Sequence, residues 1–226
     1  YKEEQIKKCY EHFKEYLKNA VLLSSDKIRD HAINCAKEND NDPDFIYIEF
    51  GVFQGSSFIH SIRCWISHRH FAEHKKMKFI GFDSFDGFGD LEKDDSHPFY
   101  RDESFITSYD YVLKKVKNAS KGIEFKLVKG FFQKTLKETP SKYGIHKAKI
   151  IFIDSDTFSS AENAFSFCKS IIQNGTYIII DDFFSYKGSA NKGVAKAFYS
   201  FKEITKTKTR HVMNYGNGGS VFVVTD

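Results

Sequence analysis

Hydrophobic residues are spaced in two different ways along this chain. From Glu3 to Lys37 they recur about every 3.6 positions, at Ile6, Cys9, Phe13, Leu17 and Val21 and again at Ile28, Ile33 and Ala36, which is the spacing of amphipathic helices. After the polar break Asn39–Pro43 the pattern changes to short apolar runs, each closed by Gly, Asp or Ser. Such runs predict buried parallel strands at Phe45–Phe50, Lys78–Phe82, Ile123–Val128, Lys149–Ile153 and Thr176–Ile180. Helices are predicted at Ser56–Arg69, Tyr109–Ala119, Ser159–Gln173 and Lys192–Phe201. The ending His211–Tyr215, Gly216–Gly219, Ser220–Val224 predicts an antiparallel hairpin.

Alternating strands and helices predict an α/β, Rossmann-like doubly wound sheet, mostly parallel, with the C-terminal hairpin antiparallel. Ligands of such sheets bind beyond the carboxyl ends of the strands, where the strand order reverses. Residues 1–42 are expected to form an N-terminal helical addition, packed on the domain or on a partner subunit, and residues 43–226 one globular domain. No internal repeat or low-complexity tract interrupts this plan.

Composition narrows the options. With 41% hydrophobic residues, 24 Phe and 12 Tyr, the 226-residue chain can bury a core without staples. The net charge of +4 is spread along the chain, and Lys196, Lys202, Lys206 and Lys208 read as a solvated face, so no nucleic-acid partner is implied. Cys9, Cys35, Cys64 and Cys168 show no metal or disulfide spacing, which leads us to expect a reducing, cytoplasmic setting. No apolar run approaches the roughly 20 residues of a membrane span. The first residue is Tyr, in keeping with a longer parent chain.

Candidate chemistry gathers at the strand ends. Glu49-Phe-Gly51-Val-Phe-Gln-Gly55-Ser56-Ser57 closes the first strand and opens a helix. Gly51 and Gly55 allow a sharp turn and close backbone approach, and Ser56 and Ser57 offer a cap and donors to a carboxylate. Glu49 suits an ammonium group and would repel a pyrophosphate. A ligand with both a carboxylate and an ammonium points to the methionine end of S-adenosylmethionine. Asp83, ending the second strand, stands where such folds place an acid on ribose hydroxyls, with a helix cap as its alternative role. It follows Glu49 at more than the usual ~20 residues, the excess being a helix and the polar loop His68–Lys76.

Two more strands end in acids, Asp154-Ser-Asp156 and Asp181-Asp182. Adjacent parallel strands lie about 4.8 Å apart, so these carboxylates can converge, and their repulsion calls for a cation. An all-oxygen set suits Mg²⁺, with Mn²⁺ or Ca²⁺ as alternatives. Asp154, Asp181 and Asp182 are the expected ligands, and Asp156 is read as a cap of the following helix. Asp154 is also the nearest candidate base, with His97 a weaker one.

Together EFGVFQGSS, FDSFDGF, KGFFQKTL, FIDSDTFSS and IIIDDFFSYKG resemble the macrocin O-methyltransferase family, over about Phe45–Phe198. The resemblance implies a class I methyltransferase fold, in which a β-hairpin closes the sheet. It also implies methylation of sugar hydroxyls using S-adenosylmethionine and Mg²⁺. Cofactor contacts then fall to Glu49, Gly51, Ser56, Asp83 and Ser84, metal contacts to Asp154, Asp181 and Asp182, and the adenine edge to Gly130 and Phe131. Phe158 replaces the family's usual Tyr, and Lys134-Thr-Leu-Lys137 departs from its usual run. Thr157 stands where catechol-type relatives carry a basic Lys, which disfavours their mechanism.

The long loop Gly87–Ser108 is expected to act as a lid, with Phe99, Tyr100 and Phe105 stacking on a carbohydrate or other small acceptor and Phe183–Gly188 forming the opposite wall. A homodimer is the base-rate expectation. Three rivals remain. An NAD-dependent oxidoreductase lacks its Gly-rich phosphate turn here. A non-catalytic S-adenosylmethionine-binding module would be expected to lose one of the acids. A methyltransferase for phenolic or lipid-linked hydroxyls differs only in its acceptor.

Overall fold

The computed structural model describes residues 44–68, 76–89, 91, 95, 105–216 and 218–226; the predicted N-terminal helices, Arg69, His97, Phe99 and Tyr100 lie outside them. Seven strands share one sheet: β1 Asp44–Phe50, β2 Lys76–Asp83, β3 Phe125–Lys129, β4 Ile150–Ile153, β5 Tyr177–Ile180, β6 Lys208–Tyr215 and β7 Gly219–Thr225. Their order is β3-β2-β1-β4-β5-β7-β6. The first five run parallel, and β7 lies antiparallel between β5 and β6, so the predicted hairpin is present.

The helices are α1 Ser56–His68, α2 Tyr109–Ser120, α3 Phe132–Thr135, α4 Phe158–Cys168 and α5 Gly193–Thr205, with a 3₁₀ turn at Pro140–Tyr143. All four residues of β4 are buried, because helices cover both sheet faces and leave no polar side to alternate with. On one face Tyr47, Phe79 and Phe152 pack with Phe58 and Trp65 of α1 and Val112 and Val116 of α2. On the other, Phe50, Phe82, Ile153 and Ile180 pack with Phe165 of α4 and Phe198 of α5.

Two departures from the expected elements have local causes. α4 ends at Cys168 rather than Gln173, because Ile171 turns inward, 2% exposed, and its carbonyl accepts the Ala148 N–H at 2.8 Å. Between β3 and β4 the chain forms α3 and the 3₁₀ turn, each four residues long and too short to leave a period in the sequence.

Strand order reverses between β1 and β4, and registry aligns the strand ends there. Phe50 pairs with Ile153, and Ile153 with Ile180, so the residues that follow, Gly51, Asp154 and Asp181, emerge side by side. Behind them the Phe50 and Phe82 rings stack at 5.3 Å, with Phe132 and Phe167 edge-on to Phe50 at 5.9 and 6.0 Å. Phe50 is fully buried, so Phe50→Ala is expected to lower stability by about 3–5 kcal/mol. Urea denaturation measures it, and a loss under 1 kcal/mol would show that this aromatic layer does not support the strand ends.

Candidate active site

A cleft of about 400 Å³ opens at the switch point. Its wall is made by the loops after β1, β2, β3 and β4, including Gly51, Ser56, Ser57, Asp83, Ser84, Phe131, Asp154 and Asp156. Phe53, Phe88 and Phe105 form an aromatic side, with Phe105 5.3 Å from Phe53 and 5.1 Å from Phe88 between ring centroids.

Asp83 organises two of these loops. Its Oδ2 accepts the N–H groups of Val52 and Phe53 at 2.7 and 2.8 Å, and its Oδ1 accepts that of Phe85 at 2.6 Å. Phe53 and Phe85 both have left-handed backbones, with φ of 46° and 57°, an unfavourable state for bulky residues that these bonds offset. Burial raises the Asp83 pKa above the ordinary carboxylate value, and the three backbone bonds oppose that rise. Ser84 shapes the next turn, donating to the Gly87 carbonyl at 2.6 Å and accepting from the Asp86 N–H at 3.0 Å.

Gly51 passes so close to β4 that a Cβ there would lie 1.7 Å from the Asp154 carbonyl oxygen, and its φ of 93° also favours glycine. Glu49 is fully buried behind the cleft wall. It accepts hydroxyl bonds from Tyr47 and from Ser57 of α1, each at 2.5 Å, and Ser61 donates to the Tyr47 oxygen at 3.1 Å.

Donor atoms of Asp154, Asp156 and Asp182 lie within 4.8 Å of one another. Asp156 and Asp182 have left-handed backbones, φ 58° and 54°, a conformation that Asp tolerates better than most residues. Handedness therefore turns both side chains out of strand alternation and toward Asp154. Asp156 is not the cap of α4. Thr157 takes that place, its hydroxyl accepting the Ser160 N–H at 3.3 Å, while Asp95 accepts the Ser159 N–H at 2.8 Å.

The electrostatic state follows from crowding. Burial raises the Asp154 pKa well above the carboxylate range, and the charges of Asp181, Asp156, Glu49 and Asp182 push it further. For Asp156 burial again leads, followed by a side-chain hydrogen bond with Asp182. Tyr186, whose hydroxyl donates to the Asp156 carbonyl at 3.1 Å, is pushed up to about 12 by burial and then by Asp95, Asp156 and Asp182.

A model of the macrocin O-methyltransferase (TylF) family matches residues 26–214, most of the chain. The chain belongs to that family. It is accordingly an S-adenosylmethionine-dependent O-methyltransferase. Among solved structures it is similar to the O-methyltransferase NovP, with a TM-score of 0.71 and 16% identity over 89% of this chain and 79% of that one. It is also similar to CalS11, a calicheamicin methyltransferase, with a TM-score of 0.69 and 14% identity over 88% of this chain and 77% of that one. These likenesses establish the class I methyltransferase fold. No curated protein sequence matches the chain significantly.

The cleft of this methyltransferase fits a ligand with polar ends. Its volume lies in the range of small-molecule sites. Ser155 lines it between two of the clustered acids, and the Ser155 hydroxyl is buried without a hydrogen-bond partner among the described residues. The all-oxygen cluster beside it suits a hard divalent cation.

Of the residues singled out in the sequence, Gly51, Ser56, Asp83, Ser84, Phe131 and Asp154 line the cleft, while Glu49, Gly55 and Gly130 do not. Asp154 and Asp182 meet in the carboxylate cluster. Asp181 acts on Asp154 through its charge but lies outside the mutual 4.8 Å set, in which Asp156 takes the third place. Sequence reasoning missed that role of Asp156, and with it Tyr186 and Asp95. The signal for Asp156 was its own side chain type, since Asp is among the few residues suited to a left-handed turn.

The pKa directions set a pH dependence. Unfolded carboxylates ionise near pH 4, whereas Asp154 and Asp156 resist ionisation when folded. Their folding penalty is therefore absent below pH 4 and grows as pH rises toward their raised folded values. Asp156→Asn keeps the left-handed turn and removes one acid, so without divalent cations its melting temperature is expected to gain on wild type by several degrees between pH 4 and 8. Scanning calorimetry at both pH values tests this, and a pH-independent difference would refute the crowding.

Proposed function

We propose that this enzyme transfers the methyl group to a sugar hydroxyl with the help of a divalent cation, Mg²⁺ being the natural choice. The carrying observation is the convergence of Asp154, Asp156 and Asp182 within 4.8 Å, two of them on the wall of the cleft. Three like charges at that separation, one buried and two half-buried, are costly alone and well matched to a small, hard cation. The family match supports the sugar acceptor, as does a structure of CalS11 without ligand (TM-score 0.60, 13% identity), described as a TDP-rhamnose 3′-O-methyltransferase.

When bound, the cation would polarise an acceptor hydroxyl and S-adenosylmethionine would supply the methyl group. The chain's own task is positioning. Gly51, Ser56, Ser57, Asp83 and Ser84 seat the methyl donor, with Phe131 toward its base and Glu49 supplying negative charge from behind. Asp154, Asp156 and Asp182 hold the cation, and Asp181 adds charge beside Asp154. Asp154, on the cleft wall, is the carboxylate assigned to take the hydroxyl proton, a role it would combine with holding the cation. Phe184 in the turn after β5 and Tyr199 of α5, 40% and 43% exposed, offer an acceptor wall.

Isothermal titration of S-adenosylhomocysteine and a radiolabelled transfer assay against nucleotide-linked deoxysugars test the reading together. Asp156→Ala and Asp182→Ala are expected to bind S-adenosylhomocysteine within about threefold of wild type yet lose transfer by roughly 100-fold or more. EDTA should silence wild type, and Mg²⁺ should restore it. Turnover unaffected by EDTA would remove the cation from the reaction, and transfer only to phenolic acceptors would remove the sugar.

A further inference from the structure

Asp182 is half-buried and faces two other acids, and beyond its hydrogen bond with Asp156 its carboxylate needs a further restraint against swinging toward water. The restraint comes from three residues further on. The Ser185 hydroxyl donates a short hydrogen bond to Asp182 Oδ1, and the Ser185 N–H donates to the Asp182 carbonyl at 3.0 Å. The turn is itself clamped: Phe184 N–H donates to the Gly218 carbonyl at 2.9 Å, and Gly188 N–H to the Phe184 carbonyl at 2.9 Å. Gly218, in the β6–β7 turn, lies where an added Cβ would come 3.5 Å from Ser185 Oγ. Tyr186 reaches from the same turn to the Asp156 carbonyl, and a Cβ at Gly193 would overlap its ring at 2.0 Å. Two adjacent side chains thus hold the two left-handed acids from behind, one by its carboxylate and the other by its backbone.

We infer that Ser185 is a positioning residue for Asp182, fixing the plane of its carboxylate so that a divalent cation meets a preformed donor set. The inference rests on the cation-binding reading above. A hydroxyl on one oxygen leaves the other for the cluster, and it removes a rotation that cation binding would otherwise have to freeze. Hydrogen-bond partners of metal-ligating carboxylates commonly change metal affinity by about 10–100-fold.

The test is Mn²⁺ titration followed by electron paramagnetic resonance, on wild type, Ser185→Ala, Ser185→Thr and Asp182→Ala, with S-adenosylhomocysteine affinity and thermal unfolding measured in parallel. Ser185→Ala is expected to weaken Mn²⁺ binding about tenfold while S-adenosylhomocysteine affinity stays at the wild-type value. Ser185→Thr, which keeps the hydroxyl, is expected to recover the wild-type Mn²⁺ affinity and spectrum. A merely structural serine would not give that rescue. Wild-type Mn²⁺ affinity in Ser185→Ala, with Asp182→Ala impaired, overturns this inference and leaves the cation reading intact. Absence of Mn²⁺ binding by wild type overturns both.

Discussion

Mutual repulsion of carboxylates out of water is the constraint around which this site is built. Asp154, Asp156 and Asp182 stand within 4.8 Å of one another, with Asp181 and fully buried Glu49 adding charge. Nothing in that arrangement favours folding by itself, so the surroundings must impose it. Parallel registry brings the ends of β1, β4 and β5 level, and a stacked phenylalanine layer stiffens them from below. Glycine at position 51 lets the first loop run against the Asp154 carbonyl. Left-handed turns at Asp156 and Asp182, held by Tyr186 and Ser185, aim the remaining acids.

Rigid strands and irregular turns divide the work. The sheet sets where side chains begin, because its spacing and register are stiff. Turns decide where they point, and here turns of unusual handedness do so on both sides of the cluster. The cost of that geometry is spread over contacts in the β6–β7 turn and at Gly193.

Much of this was legible in the sequence. Ile-rich runs such as Ile178-Ile-Ile180 have no polar alternation because both faces are covered, and that absence is what marks them as central strands. Acids at their ends lack a folding reason, which points to a site. Which of two neighbouring acids joins a cluster is a different matter. Asp156 and Asp181 differ in backbone handedness and registry, neither of which is written in composition or spacing. The seat of Glu49 was hidden for a similar reason: its partners Tyr47 and Ser57 are recognisable only once strand alternation and the pitch of α1 place them on one side. Four-residue elements such as Phe132–Thr135 fall below any periodic signal.

Asp83 joins the loops after β1 and β2 through their backbone N–H groups, whatever side chains those loops carry. These two loops of the cleft wall are thus mortared by main chain and one carboxylate, and the turn after β5 makes none of these three bonds. Under the proposed acceptor wall, substitutions at Phe184 or Tyr199 would change what is presented for methylation without touching the Asp83 bonds. A fold wired in this way can diversify its products across a lineage without reinventing its reagent.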